Sequence, residues 1–349
     1  MSDPTLSKTD STALALLRGM WRIRAFEDAA EAVSQGGVSA YGQTALCHAL
    51  VRGPLHLSTG QEAVATGVCA HLLPSDLLTS THRGHGHTLA KGADMGRMMA
   101  ELLGRATGFN GGKGGSMHIA DFSVGMLGAN GVVAAGLPIA VGAAHAQKLR
   151  CLNSQSLKGE ITVCFFGDGA INRGPFLEAL NWAQVYGLNV LFVCEDNRWS
   201  ATTATEALTA GDGAAARAQA LGIAARTVDG NDVLVVHQIA GEMVAALRHG
   251  SGPQLLHAIT YRWKGHVSVD PAKYRDPDEH ALSVQNDPIA RLVAWIEAHE
   301  PSSAEAARGL EAAARSEVQG ALDAATAAPW PDAAAAFTDV QTVGAGAWK

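Results

Sequence analysis

Two side chains, an aspartate and an asparagine, stand where neighbouring strands would end, and their types suit metal chemistry. Asp168 lies in Gly167-Asp-Gly169, directly after the apolar run Ile161–Phe166. Asn197 follows a second apolar run, Leu188–Cys194. A carboxylate and an amide oxygen are hard ligands, suited to magnesium or calcium and poor for zinc. Magnesium usually completes its octahedron with phosphate oxygens and water. Gly169, Ala170 and the turn into the next helix add backbone N–H groups and a positive helix end, which favour a diphosphate. The residues thus point to a metal–diphosphate site, although Gly-Asp-Gly alone is also what an ordinary turn carries. Two commoner phosphate patterns fail on the letters. Gly-x-Gly-x-x-Gly would need glycine where Asn172 stands, and a P-loop would need Ser or Thr where Gly114 follows Lys113, with glycine at Thr107.

The elements that must carry these residues are legible around them. Ile161–Phe166 and Leu188–Cys194 are continuous apolar runs, as expected of strands buried on both faces. Pro175–Tyr186 lies between them as a helix, with proline in its first turn and Gly187 just past its end. Strand, helix, strand is a βαβ unit, so the sheet is parallel and ligands gather outside the carboxyl ends of its strands. Further helices are expected at Ala13–Ser34, Thr59–Leu73, Asp94–Gly104, Gly131–Lys148 and Val233–His249 from their apolar spacing. Leu77–Ser80 reads as a short strand feeding a loop Thr81–His87, and Thr227–Asn231 and Pro253–Tyr261 as further strands. Gly136, Ala140 and Ala144 make a stripe of small residues, equally suited to a subunit contact or to packing inside the domain. The fold class is α/β, with a single domain at 13–335, a helical C-terminal region at 287–330, a disordered tail at 1–12 and a C-terminal tail at 336–349. No internal repeat is visible.

Bulk properties exclude several classes. The net charge of −7 argues against nucleic-acid binding, which would usually show a basic face. Met1–Asp10 is polar, so no signal peptide is expected. The longest apolar stretch, Val132–Ala146, is broken by Gly136, Pro138 and His145 and is too short to cross a bilayer. The five cysteines, Cys47, Cys69, Cys151, Cys164 and Cys194, form no CxxC pair and read as free thiols in a reducing cytoplasm.

Six ordered segments resemble one family. Gly167-Asp-Gly-Ala170 with Glu195-Asp-Asn-Arg-Trp199 resembles the thiamine-diphosphate motif. His56-Leu-Ser-Thr-Gly-Gln-Glu-Ala63, Ser80-Thr-His-Arg-Gly-His-Gly-His87, Gly112-Lys-Gly-Gly-Ser-Met-His118, Gly128-Ala-Asn-Gly131 and Tyr261-Arg-Trp-Lys-Gly-His266 are similar to segments of the alpha subunits of pyruvate, branched-chain 2-oxo acid and acetoin dehydrogenases. The resemblance runs from about residue 14 to 335. It implies a three-layer thiamine-diphosphate-binding fold, with a central mostly parallel sheet flanked by helices. It implies thiamine diphosphate and Mg2+ as cofactors, with Asp168, Asn197 and the carbonyl of Trp199 as metal ligands. Gly169 and Ala170 would meet the diphosphate, Arg83 would clamp it, and Gly131 and Val133 would line the aminopyrimidine side. His56 and His266 would face the reacting carbon, with His266 stabilising the intermediate and aiding acyl transfer.

The same resemblance implies a beta subunit in an α2β2 assembly, which supplies the activating glutamate, and a lipoyl acyltransferase as acyl acceptor. The small-molecule substrate is read as acetoin first, from the Ser80–His87, Ala90-Lys-Gly92 and Met126–Gly131 segments, then pyruvate, then a branched 2-oxo acid. A non-oxidative or non-catalytic thiamine-diphosphate-binding subunit is the competing reading. His82, His85 and His87 also raise a transition-metal site, which the family's use of this loop disfavours. Asp196 departs from the usual asparagine pair, as either an added carboxylate near the metal or a turn cap. Arg173 and Lys264 are further departures.

Overall fold

The computed structural model describes residues 11–34, 49–51, 53–153 and 159–339. Residues 1–10 of the tail expected at 1–12, most of the Gln35–Arg52 segment, Cys47 and the end of the C-terminal tail lie outside them; Thr12, placed in that tail, instead opens the first helix. Eight strands are described. Six of them, Leu77–Thr79 (β1), Met126–Gly128 (β2), Thr162–Gly167 (β3), Val190–Asp196 (β4), Ala224–Asp229 (β7) and Gln254–Ile259 (β8), form one sheet in the order β2-β1-β3-β4-β8-β7, and every neighbouring pair is parallel. The other two, Trp199–Ser200 (β5) and Thr203–Ala204 (β6), pair antiparallel in a small ribbon just after β4.

Alternation along the central strands builds three layers. In β3, Val163 and Phe165 face one side while Cys164 and Phe166 face the other; in β4, Leu191 and Val193 oppose Val190, Phe192 and Cys194. The first side is covered by Thr12–Ser34 (α1), Glu62–Cys69 (α2), Met95–Leu102 (α4), Val233–Arg248 (α8) and Ala304–Ala327 (α11). The second is covered by Gly136–Asn153 (α5), Gly174–Val185 (α6) and Gly213–Ala220 (α7). A third cluster joins the start of α1 to Pro288–His299 (α10) and the start of α11. Period-two burial on both faces is why these strands read as unbroken apolar runs. No helix among the described residues is long and apolar enough to cross a membrane.

Several boundaries differ from the sequence reading, each for a local reason. The helix expected from Gly131 begins only at Gly136. Asn130 accepts the Val132 N–H at 2.8 Å and Ala134 takes a φ of 73°, so the preceding residues form turns. The Thr81–His87 loop is in its second half a short helix, Gly84–Ala90 (α3), with the Thr88 hydroxyl donating to the Gly84 carbonyl at 2.6 Å. The helix expected from Thr59 to Leu73 is confined to α2, and the strand expected at Thr227–Asn231 lies earlier, as β7. The C-terminal helical region is two helices, α10 and α11, separated by a 3-10 turn at Pro301–Ser303. Pro277–Gln285 (α9), capped by Asp276, was not anticipated. The small-residue stripe is an internal packing device: Ala140 and Ala144 are buried in the second core layer, and Gly136 faces Thr79 and the Ser80 carbonyl.

Glycine controls one further contact between layers. A Cβ on Gly67 in α2 would stand 2.7 Å from Val236 Cγ1 and 3.1 Å from the His237 backbone nitrogen of α8. Overpacking of this kind costs about 1–3 kcal/mol. Gly67→Ala is therefore expected to lower the urea midpoint of the chain; an unchanged midpoint would show that α8 moves aside freely.

Candidate functional site

A cavity opens at the carboxyl end of the sheet. Its floor comes from residues that follow successive strands: Ser80–Arg83 after β1, Asn130 and Val132–Ala134 after β2, Asp168–Ala170 after β3, and Asn197 after β4. This is the crevice between β1 and β3, where the strand order reverses, the usual ligand position in an open α/β sheet. The cavity brings together Arg83, Val133, Asp168, Gly169, Ala170, Asn197, Trp199 and His266 from the expected set. Gly131 does not line it; it lies beside Met117 and His118. His56 stands one layer behind, with its ring centroid 5.0 Å from that of His266.

The register explains the meeting of Asp168 and Asn197. Gly167, the last residue of β3, pairs with Glu195 of β4, so Asp168, one residue on, and Asn197, two residues on, both reach the cavity from adjacent strand ends. Asp168 is buried and accepts a hydrogen bond from the Thr205 hydroxyl. Burial pushes its carboxyl above the ordinary range, and the Asp196 carboxylate adds to that, against the Thr205 bond. Asn197 is fixed at both ends: its Oδ1 accepts the Trp199 N–H at 3.1 Å and its Nδ2 donates to Gln61 Oε1 at 3.2 Å. Gly169 has to be small, because a Cβ would lie 2.4 Å from Ser200 Oγ in β5.

Asp196 is resolved as a turn cap and an ion-pair partner. Its two oxygens receive the Arg198 N–H at 3.1 Å and His257 Nε2 at 3.0 Å, and these contacts hold its carboxyl below the usual range despite burial. Lys264 pairs with Glu31 at 2.6 Å, outside the cavity. Arg173 is exposed and gives α6 its N-cap backbone.

Two arginines dominate the electrostatics. Arg83 is buried and donates to the Leu57 carbonyl at 2.9 Å and to the His266 carbonyl at 2.8 Å. Arg262 is buried and donates to the carbonyls of Lys264 and Ala201, each at 3.0 Å. Neither makes a salt bridge among the described residues. Burial lowers the Arg83 guanidinium, and Arg262 lowers it further. Burial and Arg275 bring Arg262 down to about 10, so it stays charged at neutral pH. Arg83 Nη2 also lies 3.3 Å from His266 Nδ1. Buried cations without a carboxylate partner are costly, and a site that tolerates two of them suits a multiply charged anion. Arg262, Gln61 and Thr205 were missed by sequence reasoning. Arg262 sits inside the very segment that pointed to His266, which was the available signal.

The histidines are sorted by a second network. Glu27 of α1 is fully buried; it accepts from the Ser58 N–H and hydroxyl at 2.9 and 2.7 Å and meets His85 Nδ1 at 2.9 Å. His85 Nε2 reaches the Ser116 hydroxyl at 3.0 Å. His87 joins Ser80 at 2.7 Å to Glu195 at 3.0 Å. His82, His85 and His87 therefore do not converge on a metal. His266 is tied by its backbone N–H to Asp270 at 2.7 Å, and Tyr274 bonds the same carboxylate. Burial, then Arg83, then Arg262, hold the His266 ring down to about 4. Burial and Arg83 bring His56 down to about 3. Both rings are neutral at pH 7.

Burial alone would push Glu27 up, but His85 and Ser58 together hold it below the ordinary 4.5. A depressed carboxylate stabilises the fold above 4.5 and loses that contribution as pH falls below it. Glu27→Gln is expected to cost about 1–3 kcal/mol at pH 7. Urea unfolding of both proteins should show the difference shrinking below pH 4.5; a pH-independent difference would mean that Glu27 is not ionised in the fold.

A family model described as dehydrogenase E1 component matches residues 44–334. The alpha subunit of acetoin:2,6-dichlorophenolindophenol oxidoreductase from Bacillus subtilis is 46% identical over 274 residues, covering 78% of this chain and 77% of the relative. Its counterpart from Cupriavidus necator is 47% identical, covering 66% and 67%. The alpha subunit of the pyruvate dehydrogenase E1 component of Porphyra purpurea is 38% identical, covering 80% and 82%.

Proposed function

The chain belongs to the dehydrogenase E1 component family as an alpha subunit, and from that premise we propose that it binds thiamine diphosphate through Mg2+ and cleaves acetoin together with a beta subunit. The observation that carries this reading is the pair of buried arginines, Arg83 and Arg262, without carboxylate partners, in one cavity with the buried carboxylate of Asp168. An anion with a divalent cation would satisfy both signs of charge at once. The residues therefore fit the coenzyme and metal that the family implies.

In this reading Asp168, Asn197 and the carbonyl of Trp199 hold the magnesium ion. Arg83 and the Gly169–Ala170 turn hold the diphosphate, where charge-assisted donors are strongest, and Arg262 adds a second cation. Val133, with Gly131 behind it, flanks the other end. When bound, thiamine diphosphate supplies an electron sink for cleavage next to a carbonyl. The chain's own part is to position and to handle protons. Asp270 and Arg83 clamp the backbone of His266 from both sides, so its ring is held over the cavity as a neutral imidazole able to accept or give a proton. His56 supports that ring from behind. Acyl transfer to a lipoyl acyltransferase in an α2β2 assembly completes the proposed reaction.

The partner is inferred from the mouth of the cavity as well as from the family. Val132 and Val133 are 67% and 50% exposed there, and a beta subunit would cover them and close the second wall. Acetoin is favoured over pyruvate because the acetoin relatives are 46–47% identical and the pyruvate relative 38%.

Asp168→Ala is expected to abolish magnesium-dependent coenzyme binding in calorimetry; undiminished affinity would overturn the assignment. His266→Ala keeps the backbone carbonyl that Arg83 uses. It should leave coenzyme affinity within a few-fold and lower turnover of the reconstituted complex by about 10²–10⁴-fold. Equal turnover would remove His266 from the reaction. Dye reduction by the complex should be faster with acetoin than with pyruvate or 2-oxoisovalerate. Fastest reduction with either oxo acid would replace acetoin as the substrate.

A further inference from the structure

His56, His82 and His266 come from three separate segments, yet one ring nitrogen of each lies within 4.8 Å of the other two. The ring centroids are 4.7, 5.0 and 5.6 Å apart. His56 Nδ1 and His82 Nε2 are buried and have no hydrogen-bond partner in the fold. Buried polar atoms are normally satisfied, so an unpartnered buried nitrogen on each of two rings of the cluster is an observation in need of a ligand; on the third ring, His266 Nδ1 lies 3.3 Å from Arg83 Nη2. His85 and His87, one turn further on, show the contrast: their nitrogens are all engaged.

We propose that His56, His82 and His266 form a binding site for a borderline-soft divalent transition metal, Zn2+ in the first place, distinct from the oxygen site at Asp168 and Asn197. Three imidazoles with an open fourth position are a familiar zinc donor set. Magnesium and calcium prefer oxygen and should pass this site by. Tetrahedral geometry with Zn–N near 2.0–2.1 Å requires nitrogens about 3.4 Å apart, so the rings must close in by little more than an ångström. They need not lose a proton first, since burial and the neighbouring guanidiniums keep all three neutral at pH 7. Arg83 and Arg262 oppose a bare cation, while Asp270 beside His266 favours it. The open position is therefore expected to take an anion such as hydroxide or chloride. The binding claim rests on the three rings alone. Only its consequence, that zinc blocks turnover by occupying the space over His266, rests on the proposed function.

The test uses the full-length chain, ZnCl2 as probe and excess MgCl2 throughout. One Zn2+ per chain is expected by calorimetry, with affinity at least about tenfold weaker in His82→Asn and in His56→Asn. His237→Asn, in a histidine pair remote from the cavity, and Asp168→Ala should bind zinc as the unsubstituted chain does. Undiminished affinity in both His82→Asn and His56→Asn would overturn the proposal. So would loss of binding in Asp168→Ala, because zinc would then be replacing magnesium. Co2+ gives a check that needs no variant: intense visible absorption of tetrahedral cobalt supports the site, and the weak absorption of octahedral cobalt refutes it. Zinc inhibition of the assembled complex that is absent in His82→Asn would link the site to turnover, and failure of that arm alone would count against the proposed function rather than the metal site.

Discussion

Two guanidinium groups buried without a carboxylate partner are the constraint around which this molecule is arranged. Arg83 and Arg262 are charged, enclosed and held by four backbone carbonyls, those of Leu57, His266, Lys264 and Ala201. Placing two like charges together away from water is unfavourable, and their lowered pKa values record that cost. The surrounding loops are the means by which it is met. Each carbonyl belongs to a segment that also carries a site residue or its neighbour, so holding the arginines and ordering the site are the same act.

The second network works on the same segments from below. Glu27 reaches out of α1 to fix the backbone of Ser58, and through His85 it touches Ser116, whose hydroxyl lies 3.5 Å from the His56 N–H. Asp270 does the equivalent for the His266 loop, where Gly265 allows it to come close: a Cβ there would fall 2.3 Å from the Asp270 carbonyl oxygen. Preorganisation of this kind matters because a side chain displaced by an ångström loses most of its effect on a reaction.

What could be read from the sequence divides along physical lines. The β3–α6–β4 unit was legible because strands buried on both faces are continuous apolar runs, and Pro175 and Gly187 punctuate the helix between them. Asp168 and Asn197 were legible because the parallel register carries consecutive strand ends to one place. β2 was not, being three residues long and formed by pairing with β1 rather than by its own pattern. α3 was hidden by its glycines. β7 has only exposed and half-buried residues, so its apolar signal is weak. Arg262 was invisible as a site residue because its role depends on a fold that turns its segment under the cavity. Glu27 carried a usable sign: with Ile23 and Ala30 it lies on the apolar face of α1, and a carboxylate on such a face must have a buried partner.

In the proposed reading, the opposite charge shifts in the cavity bear on how its ligands would enter. The Asp168 carboxyl is raised by burial and by Asp196, which favours its neutral form; the arginines are lowered, which disfavours their charge. A cation arriving alone would relieve Asp168 and worsen its encounter with Arg83 and Arg262. An anion arriving alone would relieve the arginines and meet the Asp168 carboxylate. In the proposed reading each ligand would remove the penalty that the other faces, so metal and anion would bind as a pair. Coupling of this sort is reciprocal by linkage. It follows from charges the chain holds at strand ends and on buried side chains.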